Sequence, residues 1–574
     1  MSSADETPSA RMVRPRAGRY ALPLVGIEQL WAVLALVLIG VFIALVPTPP
    51  HDFWWHLKAG QLVAAQGIPT TNMFAWSVPA DAPFVYATWL GEWLFYALYA
   101  LGGPQAPILA RNLLGLAGFA LVAAEARRRS GSWRLAALAA LLAAAMSANN
   151  LPARTQNWAW LPFGLYALIL GAYAAGQARP RALVALPPLM AFWVNVHGSF
   201  VLGLALLAIV AAGETLRVLF RSADSADLTD KLGSVRTSSA ASARSPNRTE
   251  ASRSADSADL AHKAAAEKSL SVLSALSAHQ TWGRLWPLYL AGAGSLAATL
   301  LNPLGPGIFG YVVKLLTDPP SQGLVIEWQP PTTRTLAGFF FFASILGLLA
   351  ACAVARRRPS VTDMLLACAF LWLAWGGQRY VMWYGMLVMP ILAQCLAVPR
   401  RPTMPWRAPG RGERLPSTLL AIVLVAGLIV VQPPFKARLG LPQPYRALFA
   451  EVPGAPELYS AETPVAAAEY LRAHPLAGRL FNEMGYGSYL DWALYPAAQV
   501  FVDPRVELYP LAIWQDYLAI RDARDYNALL IDRYGVRRVL LDRVAMPKLA
   551  AALASDPLWQ REYADARAEI YRRR

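Results

Sequence analysis

Long apolar segments alternate with short polar ones along most of this chain. Because a helix needs about 20 mostly apolar residues to cross a bilayer, the pattern predicts a polytopic α-helical membrane protein. The candidate helices are 28–46, 84–101, 106–125, 133–148, 158–176, 182–195, 199–219, 283–301, 336–355, 361–375, 380–398 and 417–432. The polar stretch before the first of them is too long for a cleavable signal peptide, so we expect a short basic arm in the cytoplasm.

Residues 221–280 break the apolar pattern. They are rich in Ser, Ala and Asp, and the octamer RSADSADL occurs at 221–228 and again at 253–260. A segment of this composition cannot bury enough apolar surface to form a core. The sequence therefore predicts a low-complexity, disordered insert on the cytoplasmic side.

The last 142 residues, 433–574, have a different pattern from the rest of the chain. Short β-like runs, RLFNE (479–483), QVFVD (499–503) and RRVLLD (537–542), alternate with helical patterns. Alternation of strands and helices is typical of a small α/β domain. The predicted domains are the arm 1–27, a transmembrane region 28–220 with an external loop 47–105, the insert 221–280, a second transmembrane region 281–432 and the α/β domain 433–574.

The net charge of +16 comes with Arg clusters in short loops between apolar segments, such as 126–129, 178–181 and 355–359. This pattern is the positive-inside bias of membrane proteins, so no nucleic-acid partner is expected. All the Arg clusters can face the cytoplasm together only if the segment 84–101 lies at the outer surface and does not cross the membrane. Glu92 favours this arrangement, because a charged side chain at the centre of a membrane span would cost about 3 kcal/mol. We then expect about 11–13 helices, a cytoplasmic N-terminus and an extracytoplasmic α/β domain.

With that topology, polar side chains gather on the outer side of the membrane. They are His51, Asp52, His56 and Lys58 after the first helix, and Arg154, Gln156, Asn195, His197, Glu327 and Arg379 at later helix ends. Each has an ordinary explanation: a helix cap for Asp52, an aromatic belt for Trp54 and Trp55, and contact with lipid headgroups for the arginines. Their convergence nevertheless predicts a site at the membrane–water boundary.

The residue types indicate the chemistry of that site. Asp52 and His56 are four apart and share one helix face, so with Glu327 they form a candidate ligand set for a divalent cation such as Mg²⁺ or Mn²⁺. A carboxylate here can also accept a proton from an acceptor. Arg154 and Arg379 can bind phosphate oxygens through their planar guanidinium groups.

An acidic residue directly after the first helix, the run WLGEWLFYALYALGGPQAPILARNLLGLAGFALVAAEARRR (89–129) and the segment GYGSYLDW (485–492) together form a recognisable pattern. The chain resembles the GT-C superfamily of membrane glycosyltransferases, in particular protein O-mannosyltransferases, aminoarabinose transferases and oligosaccharyltransferases, as a bacterial branch. The resemblance implies a GT-C-like fold and the bacterial inner membrane.

The resemblance also implies an activity. It is transfer of a hexosyl or pentosyl group from a polyprenyl-phosphate-linked donor to an acceptor of unknown identity at the external face. Asp52 and Glu327 would be the catalytic carboxylates. Arg154, His197, Arg379, Lys58 and Trp55 would bind the lipid phosphate or the sugar.

The chain departs from the family pattern in two respects. The tail lacks the W-W-D triplet, so protein N-glycosylation is not implied, and no D-x-D or E-x-D follows in a later external loop. Two other classes stay open: a transporter or flippase of a lipid-linked or small polar substrate, and a non-catalytic scaffold whose external domain binds a partner. A transporter places its ionisable residues near the bilayer midplane, whereas a scaffold tolerates replacement of Asp52 and Glu327.

Overall fold

The computed structural model describes residues 24–220, 283–398, 411–436, 459–475 and 477–574. The predicted insert 221–280 and most of the predicted basic arm lie outside these ranges. A bundle of apolar helices is followed by a small α/β domain with one sheet, which confirms the predicted fold class. The helices of the bundle and its loops are α1 (Ile27–Leu45), α2 (Asp52–Gln66), α3 (Trp89–Gly102), α4 (Gln105–Ser130), α5 (Trp133–Met146), α6 (Trp160–Ala174), α7 (Leu186–Val196), α8 (Phe200–Phe220), α9 (283–298), α10 (Gly307–Thr317), α11 (Pro319–Leu324), α12 (Leu336–Val354), α13 (Val361–Gly376), α14 (Gln378–Cys395), α15 (Arg411–Val430) and α16 (Pro433–Lys436).

Within the described residues, four helices are long and apolar enough to cross a membrane. They are α1, α4, α8 and α12. Shorter apolar helices, including α5, α10 and α13, extend the bundle. Many of their large apolar side chains are exposed, among them Trp31, Leu346 and Trp372, as expected for surfaces that face lipid. Both features indicate a membrane protein.

Helices α2 and α3 both belong to the loop 47–105 and pack closely against each other. Gly60 makes this approach possible, because a Cβ atom added there would lie 2.1 Å from the backbone oxygen of Glu92. Gly91 allows a second close contact, with the backbone of α7 near Val196. The close packing places Glu92 of α3 directly against His56 of α2. The prediction that 84–101 does not cross the membrane stays a prediction.

Replacing Gly60 with alanine tests this contact. Gly60→Ala forces α2 and α3 apart, and we expect the free energy of unfolding to fall by about 1–3 kcal/mol, the usual cost of overpacking. Thermal unfolding of the purified protein in detergent measures the change. Gly292→Ala in α9 is the matched control, because nothing lies within 4 Å of a Cβ added at that position. Equal unfolding temperatures for the two variants would contradict the close contact.

The C-terminal domain contains a four-stranded sheet in the order β1-β2-β4-β3. Strands β1 and β2 are parallel, and the other two pairs are antiparallel. Its elements are α17 (Val465–Ala473), β1 (Arg479–Asn482), α18 (Met484–Leu494), α19 (Leu511–Arg521), β2 (Val536–Asp542), α20 (Pro547–Ser555), β3 (Trp559–Ala564) and β4 (Ala568–Arg573). The predicted strands at 479–483 and 537–542 are confirmed.

The prediction of a strand at 499–503 is wrong. This segment does not join the sheet; Val500 exchanges backbone hydrogen bonds with Phe74 and Trp76 of the loop 47–105. The apolar alternation of QVFVD reflects burial between the loop and the domain, where Val500, Phe501 and Val502 are all buried. The segment therefore holds the loop against the C-terminal domain.

The start of α2 also contacts the C-terminal domain. The Ser488 hydroxyl of α18 accepts a hydrogen bond from the backbone N–H of Trp55 at 2.9 Å and donates one to the His51 carbonyl oxygen. Trp54 is fully buried and makes edge-to-face contacts with Tyr459 and Tyr489. The expectation that Trp54 and Trp55 belong to an aromatic belt is wrong, because both side chains are buried, Trp54 at this domain contact and Trp55 against Phe84 at the wall of a cavity.

Candidate active site

A cavity of about 230 Å³ lies where the ends of the bundle helices meet the C-terminal domain. Eight of the residues singled out from the sequence line it, which are Asp52, Trp55, His56, Arg154, Gln156, His197, Glu327 and Arg379. They come from loops and helix ends that are far apart along the chain. The gathering expected from the predicted topology is therefore present in the structure.

Arg154 joins the two candidate carboxylates. Its Nη1 atom lies 2.7 Å from each carboxylate oxygen of Glu327 and 3.8 Å from Oδ2 of Asp52. Burial by itself raises the pKa of Glu327, but Arg154 and Arg379 outweigh it and hold the pKa below its usual range. Glu327 is therefore ionised and engaged by Arg154. The Asp52 side chain is 37% exposed and is the freer of the two carboxylates.

The Arg379 guanidinium group has no carboxylate within ion-pair distance among the described residues. It lies over the Trp328 ring, 4.2 Å from the ring centroid, an arrangement that orients a cation without neutralising it. Arg154 contributes further free donors, because its Nε and Nη2 atoms are buried and have no hydrogen-bond partner within the described part of the chain. The cavity thus presents one guanidinium group without an ion-pair partner and further N–H donors without hydrogen-bond partners among the described residues.

His197 connects α7 to α8 at the wall of the cavity. Its Nδ1 atom accepts a hydrogen bond from the backbone N–H of Ser199 at 3.1 Å. The ring proton of the neutral form therefore lies on Nε2. Burial, Arg379 and Arg154 hold the pKa of His197 well below its usual range. His197 is therefore a neutral hydrogen-bonding group, fixed by the backbone of the turn.

The structure does not bring Asp52, His56 and Glu327 together as metal ligands. His56 Nδ1 lies 3.0 Å from Glu92 Oε1, and both oxygens of Glu327 contact Arg154. Throughout the described ranges, no group of three or more His, Cys, Asp or Glu side chains is arranged to hold a metal ion. The donor set as it stands does not fit a resident divalent ion, and no reaction step is assigned to one.

Lys58, predicted to bind the substrate, lies away from the cavity. Its Nζ atom donates to Gln61 Oε1 at 3.0 Å and lies over the rings of Trp492 and Tyr495. Burial lowers the pKa of Lys58, and the nearby Asp491 opposes this effect. The structure thus places Lys58 in the contact between α2 and the C-terminal domain.

Several residues of the cavity were not identified from the sequence as site residues. Glu507 of the C-terminal domain accepts a hydrogen bond from the Tyr311 hydroxyl of α10 at 3.2 Å, and Thr88 and Glu92 come from the start of α3. Glu92 carried a signal, since it is a lone carboxylate in an otherwise apolar helix. Glu507 carried none, because its segment has no pattern that indicates contact with the bundle.

No protein-family model matches this sequence, and no curated protein does. The chain is similar in structure to ArnT from Cupriavidus metallidurans, in the apo state and bound to undecaprenyl phosphate. The sequence in each of these two structures is 15% identical to this chain, and the TM-scores are 0.47 for the apo state and 0.46 for the lipid-bound state. Each match covers 94% of this chain, together with 96% of the apo chain and 97% of the lipid-bound chain.

Two further solved structures are similar to the chain. One is the archaeal oligosaccharyltransferase AglB from Archaeoglobus fulgidus, with an inhibitory peptide and a dolichol-phosphate (12% identity, TM-score 0.42, 92% of this chain and 72% of that chain). The other is the arabinofuranosyltransferase AftD from Mycobacteria (14% identity, TM-score 0.48, 96% of this chain and 42% of that chain).

Proposed function

We propose that this protein is a membrane glycosyltransferase that moves a sugar from a polyprenyl-phosphate-linked donor to an acceptor. The observation that carries the proposal is the Arg379 guanidinium group, a cation without an ion-pair partner among the described residues, in the same cavity as the partly exposed Asp52. An unpaired cation at the end of a bundle of apolar helices suits an anionic headgroup whose hydrocarbon chain stays in the membrane.

Each group has a defined role in the proposed reaction. Arg379 and the free N–H groups of Arg154 bind the phosphate and stabilise the charge that develops on it as the sugar leaves. Asp52 accepts the proton of the attacking acceptor hydroxyl. Glu327 holds Arg154 in place through contacts to both of its oxygens. The reaction takes place at the extracytoplasmic face, in the bacterial inner membrane.

The position of the cavity argues against the transporter alternative. Transporters bind their substrates near the bilayer midplane, often beside broken helices. This cavity instead lies at one end of the bundle, and Pro504, Arg505 and Glu507 of the C-terminal domain form part of its wall. A site bordered by the C-terminal domain on one side and by the helix bundle on the other suits a reaction between a lipid-linked donor and a second substrate.

Binding of undecaprenyl phosphate to purified protein tests the proposal. Arg379→Gln removes a charge-assisted contact worth about 1.5–3 kcal/mol, so we expect Kd to rise by about ten- to a hundred-fold. Native mass spectrometry across a lipid titration measures this change. Arg334→Gln is the matched control, because Arg334 is an exposed arginine in the loop that precedes α12. Equal binding by wild type, Arg379→Gln and Arg334→Gln would contradict a phosphate site at Arg379.

A further inference from the structure

The wall of the cavity formed by α2 and α3 contains two buried polar atoms without partners. Oε2 of Glu92 and Nε1 of Trp55 are both buried, and neither has a hydrogen-bond partner within the described residues. Both side chains line the cavity that also contains Arg154 and Arg379. Because an unsatisfied buried polar group costs free energy, two of them at one wall indicate that a ligand supplies the missing hydrogen bonds.

The carboxylate of Glu92 is held in a fixed orientation. Its Oε1 atom accepts a hydrogen bond from the Thr88 hydroxyl at 2.8 Å and lies 3.0 Å from His56 Nδ1. The His56 ring in turn stacks on Trp55, with 3.7 Å between the ring centroids. One carboxylate oxygen is therefore used to fix the side chain, while the other is left without a partner among the described residues.

The chemistry of the two free atoms limits the ligand. The carboxylate oxygen needs a donor, and the indole N–H needs an acceptor. An ammonium group would satisfy Glu92 but not Trp55, and a phosphate would satisfy Trp55 but be repelled by Glu92. A hydroxyl group both donates and accepts, so the hydroxyl groups of one ligand can satisfy both atoms.

We infer that Glu92 and Trp55 form a subsite for the hydroxyl groups of the transferred sugar, separate from the phosphate-binding arginines. Glu92 Oε2 accepts a hydrogen bond from a sugar hydroxyl, Trp55 Nε1 donates to a sugar hydroxyl oxygen, and His56 and Thr88 are positioning residues that orient the carboxylate. The inference rests on the proposed function, and it specifies a neutral, polyhydroxylated group on the lipid phosphate.

The test compares lipids with and without a sugar. Purified full-length protein is titrated with undecaprenyl phosphate, and with undecaprenyl phosphate carrying glucose, mannose, galactose or arabinose. Wild type is expected to bind at least one glycosylated lipid about ten-fold more tightly than the bare lipid. Glu92→Gln and Trp55→Phe are each expected to reduce that preference about 3- to 30-fold. Both variants should keep the wild-type Kd for undecaprenyl phosphate.

Glu125→Gln is the matched control for Glu92→Gln. Glu125 is also a buried glutamate, but it is paired with Arg128 and Arg129 near the end of α4. The replacement Glu125→Gln should alter thermal unfolding without altering the preference for glycosylated lipid. If Glu92→Gln fails to fold, Trp55→Phe decides the question, since it keeps an aromatic ring at this position and removes the N–H donor.

The outcomes separate the two proposals. If wild type binds undecaprenyl phosphate but no glycosylated lipid more tightly, the subsite is overturned and the phosphate site stands. If Glu92→Gln and Trp55→Phe weaken the bare and glycosylated lipids equally, the two residues act only through structure and the subsite is again overturned. If wild type binds none of these lipids, the proposed function fails and the sugar subsite falls with it.

Discussion

Asp52→Asn is expected to slow sugar transfer by about 10²–10⁴-fold, the usual contribution of a general base. Asparagine has nearly the same shape as aspartate, but it cannot accept the proton of the attacking hydroxyl. Binding of the donor should change little, because Arg379 does not depend on Asp52 for its position and Arg154 keeps both contacts to Glu327. Release of sugar from the preferred undecaprenyl-phosphate-linked donor, followed by mass spectrometry, measures the rate.

Asp81→Asn is the control for this prediction. Asp81 is an exposed aspartate of the same loop 47–105 and does not line the cavity. Its replacement should leave the rate within about two-fold of wild type, since surface changes away from special features have small effects. Full activity of Asp52→Asn would exclude Asp52 as the base, while the glycosyltransferase activity itself would stand. Loss of donor binding together with loss of rate would assign Asp52 a binding role.

Arg505→Met is expected to lower the free energy of unfolding by about 3–5 kcal/mol, the cost of removing one partner from a buried ion pair. Arg505 and Asp503 are both fully buried, and Nη2 of Arg505 lies 2.6 Å from Oδ2 of Asp503. The guanidinium group also lies 4.8 Å from the Phe74 ring centroid and 5.0 Å from that of Phe84. Its loss therefore destabilises the C-terminal domain and loosens the loop 47–105.

Thermal unfolding and limited proteolysis measure this effect. Arg561→Met is the matched control, because the Arg561 side chain is 55% exposed where it pairs with Glu569 and such surface pairs contribute about 0–1 kcal/mol. The double variant Arg505→Met/Asp503→Leu should recover part of the loss, since it removes the uncompensated carboxylate as well. An unfolding temperature for Arg505→Met equal to that of Arg561→Met would show that the buried pair does not hold the domain in place.

The sequence determined the parts of this protein that depend on local patterns. Apolar segments predicted the helices, because burial in lipid requires an unbroken run of apolar side chains. The four-residue spacing of Asp52 and His56 placed them on one face of α2, and the structure has both at the cavity. The sequence also predicted that Arg154, Glu327 and Arg379 would lie near one another, and all three line the cavity.

Only the tertiary structure decided which of these residues contact each other. His56 pairs with Glu92 because Gly60 lets α2 and α3 approach closely. Lys58 turns toward Trp492, and QVFVD pairs with the loop 47–105, since both are buried at a contact between segments more than 400 residues apart. Glu507 reaches the cavity through its hydrogen bond to Tyr311, 196 residues away along the chain. Helix periodicity and hydropathy are local properties, whereas these pairings depend on the packing of one domain against another.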